Sequence, residues 1–316
     1  MLPLGIDIGA TRLRVSVISS RRGTTRIHNV VVRDLPSGAS SSGTIASPEI
    51  VADILSDAVA EARVRERHCI AAISNDAATI KSVTFPRMSH FERNKAAKFE
   101  AARFIRYPLE ECTVRLVPGQ RKTDYFLGIA RTDALRSRMK VLRGAGLRPV
   151  AIDHESCAWR RAVGDVDCLV DIGFSRSTVI GFADPLADVR TFSTGGETIT
   201  ENIARTLGVD KMTAEQRKRT IAQGALVQPE SAGIVTEVAD TILEMRSAGH
   251  SIRRIALGGN GARVDGLPAA LERATGVATV MVEFPASVMS DYPPDVMRAG
   301  APDWLFSYGI ALWSLA

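Results

Sequence analysis

Apolar and polar residues follow the same pattern at two places along this chain. Residues Leu2–Ile8 form an apolar run, and the apolar positions of Leu13–Val17 then alternate with polar ones. A second apolar run, Cys168–Val170, is followed after a short polar segment by Thr178–Ile180. A buried run that leads into a second strand pattern is typical of a strand, a tight turn and a partner strand. The sequence therefore predicts two hairpins of similar construction.

Strand patterns and helix patterns alternate along the rest of the chain. Beyond the hairpins, the predicted strands are Arg26–Val32, Cys69–Ser74, Thr79–Phe85, Cys112–Val117, Tyr125–Ala130, Val150–Asp153, Val189–Ser193, Ile252–Leu257 and Ala278–Val282. The predicted helices are Pro48–Arg67, Phe91–Tyr107, Thr132–Arg143, one starting near His154, Thr198–Leu207, a helical region over about Thr213–Gly249 with a break near Pro229, Leu267–Thr275 and Trp304–Leu315. We expect the Ser/Gly-rich segment Ser37–Gly43 to be an exposed, mobile connection. This alternation predicts an α/β fold with mixed sheets.

The composition fits two globular domains and argues against several functions. The 316 residues suffice for two domains of ordinary size, and 45% hydrophobic and 24% charged residues are typical of globular proteins. The net charge of +5 is spread along the chain and only 5% of residues are aromatic, so we expect no nucleic-acid partner. No apolar stretch approaches the ~20 residues needed to cross a bilayer, and no signal peptide precedes the first strand. We therefore expect a cytoplasmic protein with no direct membrane insertion.

The turns of the two predicted hairpins carry one motif, D-I-G-x-[ST]-R. The first copy is Asp7–Arg12 and the second is Asp171–Arg176. Each copy offers backbone N–H groups and a hydroxyl to phosphate oxygens, and the two aspartates are suited to holding a hydrated Mg²⁺. One copy alone is compatible with an ordinary hairpin, whereas two copies predict related half-sites that face a shared cleft. A third glycine-bearing strand exit follows at Gly258–Gly259.

The order of these motifs resembles that of the actin-like ATPase superfamily, and within it the PilM family of type IV pilus assembly proteins, which is related to the cell-division protein FtsA. Four further stretches carry the resemblance over nearly the whole chain: Phe104–Glu111, Gly144–Asp153, Ile255–Leu267 and Gly309–Leu312. The resemblance implies an α/β, actin-like fold, that is, a duplicated ribonuclease H-like two-domain fold with an inserted α/β subdomain of the FtsA/PilM type.

The resemblance also implies domain boundaries. The first domain would comprise residues 1–86 and continue in 150–170, with the inserted subdomain at 87–149. The second domain would comprise 171–290, and a closing helix in 291–316 would return to the first domain. Rigid breaks at Pro86 and Pro149 flank the predicted insertion.

Roles for single residues follow from the resemblance. Asp7 and Asp171 would approach Mg²⁺ through water molecules. The remaining implied ATP-binding residues are Gly9, Ala10, Thr11, Arg12, Gly173, Phe174 and Ser175 around the phosphates, Gly195 and Gly196 near the sugar and phosphates, Glu215 and Lys218 around the nucleoside, and Gly258, Gly259 and Asn260 beside the adenine.

Several of these assignments have an alternative. Arg12 and Arg176 alternate outward on the hairpins, so both are also candidates for solvent exposure. Glu215 and Lys218 are spaced as an ordinary surface pair on a helix. Glu155 would help to order an attacking water molecule, but it is equally compatible with an acid at a helix N-terminus.

The implied function is that of a nucleotide-responsive scaffold, at most a slow ATPase, because no general base is evident and the short loop Asp184–Leu186 carries no polar cluster. The implied partner is the cytoplasmic N-terminal tail of a PilN-like inner-membrane protein, which would hold this chain at the membrane; pilus motor ATPases are further candidates. We expect the tail in a groove beside the strands around Val114–Leu116 and Tyr125–Ile129.

Three other functions remain open from the sequence. Ser74–Ala78 resembles the N-D-A segment of sugar kinases in the same superfamily, although a turn between strands also explains it. A type II secretion scaffold shares the fold but normally continues into a membrane span, which we do not find before Ala316. A polymerising filament protein is the third alternative.

Overall fold

The computed structural model describes residues 1–41, 43–183, 186–220 and 227–315. In chain order, the strands are β1 (Leu4–Ile8), β2 (Arg12–Arg21), β3 (Thr24–Asp34), β4 (Ser40–Ser41), β5 (Thr44–Ile45), β6 (His68–Ile73), β7 (Ala78–Thr84), β8 (Cys112–Pro118), β9 (Asp124–Arg131), β10 (Arg148–His154), β11 (Cys168–Ile172), β12 (Ser177–Gly181), β13 (Asp188–Phe192), β14 (Arg254–Gly258), β15 (Ala278–Met281) and β16 (Met289–Ser290). The α-helices are α1 (Pro48–Glu61), α2 (His90–Ala102), α3 (Thr132–Gly144), α4 (Glu155–Val163), α5 (Gly196–Leu207), α6 (Lys211–Thr220), α7 (Val227–Ser247), α8 (Leu267–Thr275) and α9 (Pro294–Ala311). Short 3-10 helices cover Leu109–Glu111, Asn260–Arg263 and Leu312–Leu315.

Two sheets with the same topology form the two lobes of the molecule. The first sheet has the order β10-β6-β1-β2-β3-β16 and the second has the order β13-β12-β11-β14-β15. In the first sheet, β1 is antiparallel to β2 and parallel to β6; in the second, β11 is antiparallel to β12 and parallel to β14. The two predicted hairpins therefore occupy equivalent central positions in two related sheets, as a duplicated fold requires.

Apolar side chains on the hairpins are buried because helices cover both sheets. In the first lobe, residues such as Leu13 and Val15 pack in a core with Leu55 of α1 and Val141 of α3. In the second lobe, Val170 and its neighbours pack with residues of α5, α7 and α8. A third cluster includes Trp159 of α4, strand residues of the second sheet and the closing helix α9. Helix α9 packs against α4, β1 and β2, and so lies in the first lobe.

A small third sheet stands apart from the two large ones. Its order is β7-β9-β8, with all strands antiparallel, and α2 packs on it. The predicted boundary at residue 86 left strand 79–85 in the first domain, but β7 pairs with β9 from Ala78 to Thr84. Conversely, α3 was predicted inside the insertion and packs against α1 of the first lobe. Periodicity predicts that a strand forms but not which strand it pairs with, so the domain limits themselves stay a prediction.

Several local predictions differ from the structure. Helix α1 ends at Glu61 rather than Arg67, and α2 ends at Ala102 rather than Tyr107. The closing helix begins at Pro294, ten residues before the predicted start, because a proline in the first turn suits a helix. The segment Ser37–Gly43 is not uniformly exposed: Ala39 and Ser40 are buried, and Ser40–Ser41 pairs with β5.

Two predictions fall at least partly on positions that the structure does not describe. The loop Asp184–Leu186 includes Asp184 and Pro185, which lie outside the described residues, as do 221–226 within the predicted helical region. The predicted break near Pro229 falls instead in the first turn of α7, which begins at Val227. Within the described ranges, no helix combines the length and apolar character that a membrane crossing demands.

Candidate functional site

A cleft of about 920 Å³ opens where the ends of both hairpins face each other. Most of the residues assigned from the sequence line it: Asp7, Gly9, Ala10, Thr11, Arg12, Glu155, Asp171, Gly173, Phe174, Ser175, Gly196, Glu215, Lys218, Gly259 and Asn260. Gly195 and Gly258 do not line it. The fold thus brings both D-I-G motifs and the third glycine turn to one place, although Gly9 and Gly173 are far apart in the chain.

The two D-I-G turns have the same hydrogen-bond geometry. The Gly9 N–H donates to the Arg12 carbonyl at 2.9 Å, and the Gly173 N–H donates to the Arg176 carbonyl at the same distance. Each turn therefore closes over the residues that carry the hydroxyl, which places Thr11 and Ser175 at equivalent points of the cleft. This equivalence is what a shared ligand between two related half-sites needs.

Asp7 is held by an arginine that the sequence analysis did not single out. Arg14 Nη1 donates to Asp7 Oδ2 at 2.8 Å, and Arg14 Nε donates to Asp303 Oδ1 of α9 at 2.9 Å. Burial raises the pKa of Asp7, while Arg14 opposes that shift. Arg14 was detectable in principle, since it is a polar position of the alternating strand β2 that follows the first motif.

Asp171 is the second carboxylate of the cleft, and its protonation is strongly perturbed. The pKa of Asp171 is raised to about 6, mainly by burial; the charges of Glu155 and Asp7 add to this rise, and Arg176 and a hydrogen bond from Trp159 oppose it. Gly259, with a φ of +81°, packs so closely that a Cβ there would collide with Asp171 Oδ1. A glycine is therefore needed at position 259 to leave room for the Asp171 carboxylate, and the same turn also lines the cleft.

Arg176 is an ion-pair residue, so the interpretation that it points into solvent is wrong. It donates to Glu155 Oε2 at 2.6 Å and to Asp76 Oδ2 at 3.0 Å, and its side chain is 23% exposed. Arg12 is likewise engaged, since its Nε donates to Asp34 Oδ1 at 2.9 Å. Because Arg176 belongs to the second lobe and both of its acids belong to the first, these ion pairs cross the cleft.

Both carboxylate oxygens of Glu155 are engaged. Oε2 accepts from Arg176, and Oε1 accepts from the Asn75 N–H at 2.8 Å. Burial alone would raise the pKa of Glu155, but Arg176, His154 and the Asn75 hydrogen bond outweigh it, and the pKa is lowered. Glu155 is thus an ionised, paired carboxylate at the start of α4. It lies in the cleft, as a residue that orders water would, but its lowered pKa makes it a weak base while Arg176 is in place.

The start of helix α5 is tied to the second hairpin. The N–H groups of Gly196 and Glu197 donate to the carbonyls of Gly173 and Phe174 at 2.9 and 2.8 Å. Gly195 lies against the same hairpin, where a Cβ would come within 2.5 Å of the Phe174 carbonyl oxygen. The amides of Gly196 and Glu197 therefore hold the turn in place, and the assignment of Gly195 and Gly196 to the sugar and phosphates stays a prediction.

Glu215 and Lys218 form a partly buried pair rather than an ordinary surface pair. Lys218 Nζ lies 2.5 Å from Glu215 Oε2, and its side chain is only 9% exposed. The same ammonium group donates to the Gly196 carbonyl at 2.9 Å and to Thr200 Oγ1 at 2.8 Å. The pair joins α6 to the first turn of α5 at the edge of the cleft.

Gly258 has a packing role. It ends strand β14, and a Cβ there would approach within 3.0 Å of the Trp159 ring. Trp159 in turn stacks on Phe306 of α9, with ring centroids 5.1 Å apart. The pattern of two consecutive glycines thus serves two purposes, since Gly258 admits a tryptophan and Gly259 turns the chain past Asp171.

The donor set of the cleft fits a phosphate-bearing ligand with a hydrated divalent cation. The charge of Asp7 raises the pKa of Asp171, an effect that a cation bound near both carboxylates would relieve. Among the described residues, no group of three or more His, Cys, Asp or Glu side chains is placed to hold a metal ion. Glycines at the turns leave room for a ligand close to the backbone.

Two equivalent sheets around a cleft that carries paired D-I-G turns define the actin-like ATPase fold. The same fold is seen in ethanolamine utilization protein EutJ from Carboxydothermus hydrogenoformans (15% identity, TM-score 0.65, covering 99% of this chain and 90% of that one). It is also seen in MreB5 of Spiroplasma citri bound to ADP (13% identity, TM-score 0.55, covering 89% and 91%). The chain belongs to the family of type IV pilus assembly protein PilM, whose family model matches residues 5–315.

The match to a solved structure of this family extends over the whole chain. The PilM-PilN type IV pilus biogenesis complex contains a chain with 25% identity and a TM-score of 0.85, and the alignment covers 100% of this chain and 99% of that one. The family that the motifs of the sequence resemble is therefore confirmed, together with the actin-like fold.

Proposed function

We propose that this protein is a nucleotide-binding scaffold of a type IV pilus assembly platform at the inner membrane. It binds Mg-ATP in the cleft and the cytoplasmic N-terminal tail of a PilN-like membrane protein elsewhere on the first lobe. The observation that carries the nucleotide part is the pair of equivalent D-I-G turns, which present Thr11 and Ser175 to a single cleft. Family membership and the PilN named in the similar complex support the partner.

In this proposal, the two turns hold the phosphates, and Asp7 and Asp171 orient the water molecules around Mg²⁺. The Glu215–Lys218 pair and the Gly259–Asn260 turn lie at the edge that would receive the nucleoside. A bound Mg²⁺ supplies charge neutralisation of the phosphates. The residues of the chain itself bind and orient the nucleotide and exclude water from the cleft.

Turnover is expected to be slow at most. A general base needs a lone pair within reach of the attacking water, and both oxygens of Glu155 already accept hydrogen bonds. Asp76, the candidate base of the sugar-kinase alternative, is paired with Arg176 at 3.0 Å. Both carboxylates are thus held by Arg176, which favours a binding role over a kinase.

The proposed tail site lies beside the small sheet. Strand β8 is at the edge of the order β7-β9-β8, whereas β9 is central and pairs on both sides. Of the two strands predicted to line the groove, only β8 can therefore offer main-chain groups to an extended peptide, and the predicted contribution of Tyr125–Ile129 is limited to side chains. A groove between β8 and α3 is lined by Thr113, Thr132, Leu135, Arg136, Met139, Lys140, Arg143 and Gly144. An interaction with pilus motor ATPases stays a prediction.

Calorimetric titration tests the nucleotide part. We expect Mg²⁺-dependent binding of ATP to the wild-type protein and at least tenfold weaker binding to Asp7→Asn and Asp171→Asn, since each loses a charge that orients the hydrated ion. Asp57→Asn on the exposed face of α1 is the matched control and should bind normally. Equal affinity without Mg²⁺ and in both cleft variants would refute the proposal, and rapid sugar-dependent ADP release would favour the kinase.

A further inference from the structure

Arg138 is a buried arginine that reaches the cleft from helix α3. Its side chain is 4% exposed, and it lines the first-lobe wall of the cleft. Its Nε donates to the Ala72 carbonyl at 2.9 Å, and its Nη1 donates to the Gly43 carbonyl at 2.6 Å. These contacts fix the guanidinium in one orientation without neutralising its charge, because a carbonyl carries none.

No carboxylate among the described residues forms an ion pair with Arg138. The two acids whose charges reach it, Asp7 and Glu155, are already paired with Arg14 and Arg176. Burial lowers the pKa of Arg138 to about 10, which still leaves it protonated at neutral pH. A charge that is buried, ionised and without a counter-ion is rare in proteins, because the desolvation it suffers is normally offset by a partner.

Ser74 supplies a second, independent observation at the same corner. Its Oγ is buried and has no hydrogen-bond partner, which sets it apart from the other buried side chains of the described chain. Ser74 follows strand β6 directly and also lines the cleft. It lies beside Gly43, where a Cβ would come within 2.6 Å of Ser74 Oγ, and the Gly43 carbonyl is the one that Arg138 contacts. Buried hydroxyls are ordinarily satisfied, so this one points to a missing acceptor or donor.

We propose that Arg138 and Ser74 form a subsite for a phosphoryl group on the first-lobe wall of the cleft. A tetrahedral, doubly charged oxyanion supplies both missing elements, since it neutralises the guanidinium and accepts a hydrogen bond from the serine. Two sources carry that chemistry: the terminal phosphoryl group of ATP and free orthophosphate. The first source rests on the proposed nucleotide site, and the second does not.

The subsite gives the protein a means to distinguish nucleotides. ATP places one more phosphoryl group in the cleft than ADP does. Arg138, which is fixed on the first-lobe wall, contacts only that additional group and therefore increases the affinity for ATP and not for ADP. Charge-assisted hydrogen bonds of this kind correspond to a preference of roughly tenfold or more. Arg138, which contacts the extra phosphoryl group in this proposal, lies on α3. Because α3 continues directly from β9, this helix borders the small sheet.

The test combines calorimetric titration with thermal unfolding on the full chain. The ligands are Mg-ATP, Mg-ADP and potassium orthophosphate, with potassium chloride at matched ionic strength as the salt control. The variants are Ser74→Ala and Arg138→Met, with Arg273→Met, an exposed arginine on α8, as the matched control. Ser74→Ala removes a hydroxyl that has no hydrogen-bond partner, so it keeps the test valid even if Arg138→Met fails to fold through loss of the arginine's hydrogen bonds to the backbone.

We expect the wild-type protein and Arg273→Met to bind ATP at least tenfold more tightly than ADP, or to unfold at a higher temperature in orthophosphate than in chloride. In Ser74→Ala and Arg138→Met, that difference should shrink severalfold or vanish, while ADP affinity is kept. Preference for ATP identifies the nucleotide as the source, and stabilisation by orthophosphate identifies the free ion. Equal ATP and ADP affinities with no effect of orthophosphate would overturn the subsite, as would variants that weaken ADP as much as ATP. Absence of all nucleotide binding would refute the proposed function, yet the orthophosphate measurement would still decide the subsite.

Discussion

At the scale of single residues, Asp171 shows how the chemistry of the cleft opposes the stability of the fold. Burial raises the pKa of this carboxyl to about 6, so at pH 7–8 the folded protein holds a charge in surroundings that disfavour it. The unfolded chain ionises the same group without that penalty. A bound divalent cation would relieve the penalty, which is a reason for a binding site to retain it.

Asp171→Asn should therefore stabilise the ligand-free protein. We expect the free energy of unfolding at pH 8 to rise by about 2–3 kcal/mol, because the pKa of the folded carboxyl lies about two pH units above that of the unfolded chain. The gain should fall as the pH drops from 6 and disappear below about 4, because the wild-type carboxyl is then protonated in both states. Urea unfolding at pH 4, 6 and 8 measures this, with Asp57→Asn as the exposed control. A variant that is no more stable than wild type at pH 8 would contradict this account of Asp171.

At the scale of elements, helix α3 and strand β8 define the surface on which a partner tail is proposed. The edge strand offers main-chain groups, and the groove beside it combines apolar side chains such as Leu135 and Met139 with three basic ones from α3. Extended peptides gain affinity from strand pairing and specificity from pockets for alternate side chains. The groove thus has both of the components that such a peptide uses.

Met139→Asp should weaken the binding of the tail without unfolding the protein. A carboxylate in the groove meets apolar peptide side chains, and we expect at least a tenfold loss of affinity, since an unpaired charge is costly to desolvate. Fluorescence anisotropy with a labelled N-terminal tail of a PilN-like protein gives the dissociation constant. Leu243→Asp, at an exposed apolar position on α7, is the matched control and should leave binding intact. If both variants bind equally well, the tail lies elsewhere.

At the scale of the whole molecule, Arg176 joins the two lobes. It extends from the second hairpin to Glu155 and Asp76 of the first lobe, at 2.6 and 3.0 Å. Glu155 is almost fully buried, so its charge depends on this partner. The lowered pKa of Glu155 means that the pair stabilises the fold at neutral pH and that this contribution is lost in acid, as the pH falls through that lowered value.

Arg176→Met should lower the free energy of unfolding by about 3–5 kcal/mol at pH 7, because it leaves a buried carboxylate without a counter-ion. Adding Glu155→Gln should restore much of that loss. Arg190→Met removes an exposed pair with Asp188 in the same lobe and should cost about 1 kcal/mol or less. Urea unfolding of the single and double variants forms the required cycle. Additive effects of the Arg176 and Glu155 substitutions would show that the ion pair does not join the lobes energetically.

Much of the candidate site was predictable because its parts are local in sequence. The two D-I-G turns, with Asp7 and Asp171 at their starts, could be identified from apolar runs, alternation and a repeated motif. These signals lie in neighbouring residues of one strand or turn, so they can be recognised without knowledge of the tertiary contacts. The duplication followed from them, whereas the actin-like class and the roles of most cleft residues followed from the family that the order of the motifs resembles. The pairing of β1 with β2 and of β11 with β12 confirms the two predicted hairpins.

What only the tertiary structure decided is which distant groups meet. Arg176 was assigned to solvent by alternation, but its partners Glu155 and Asp76 precede it in another lobe. Strand β7 could be predicted, yet its pairing with β9 rather than with the first sheet could not. Arg138 and Ser74 carry no local signal, since a serine after a strand and an arginine on a helix are commonplace. Their unmatched charge and hydroxyl exist only because α3 packs against the end of β6. Sequence periodicity therefore determined the elements and the class of the fold, while long-range packing decided the electrostatics of the cleft.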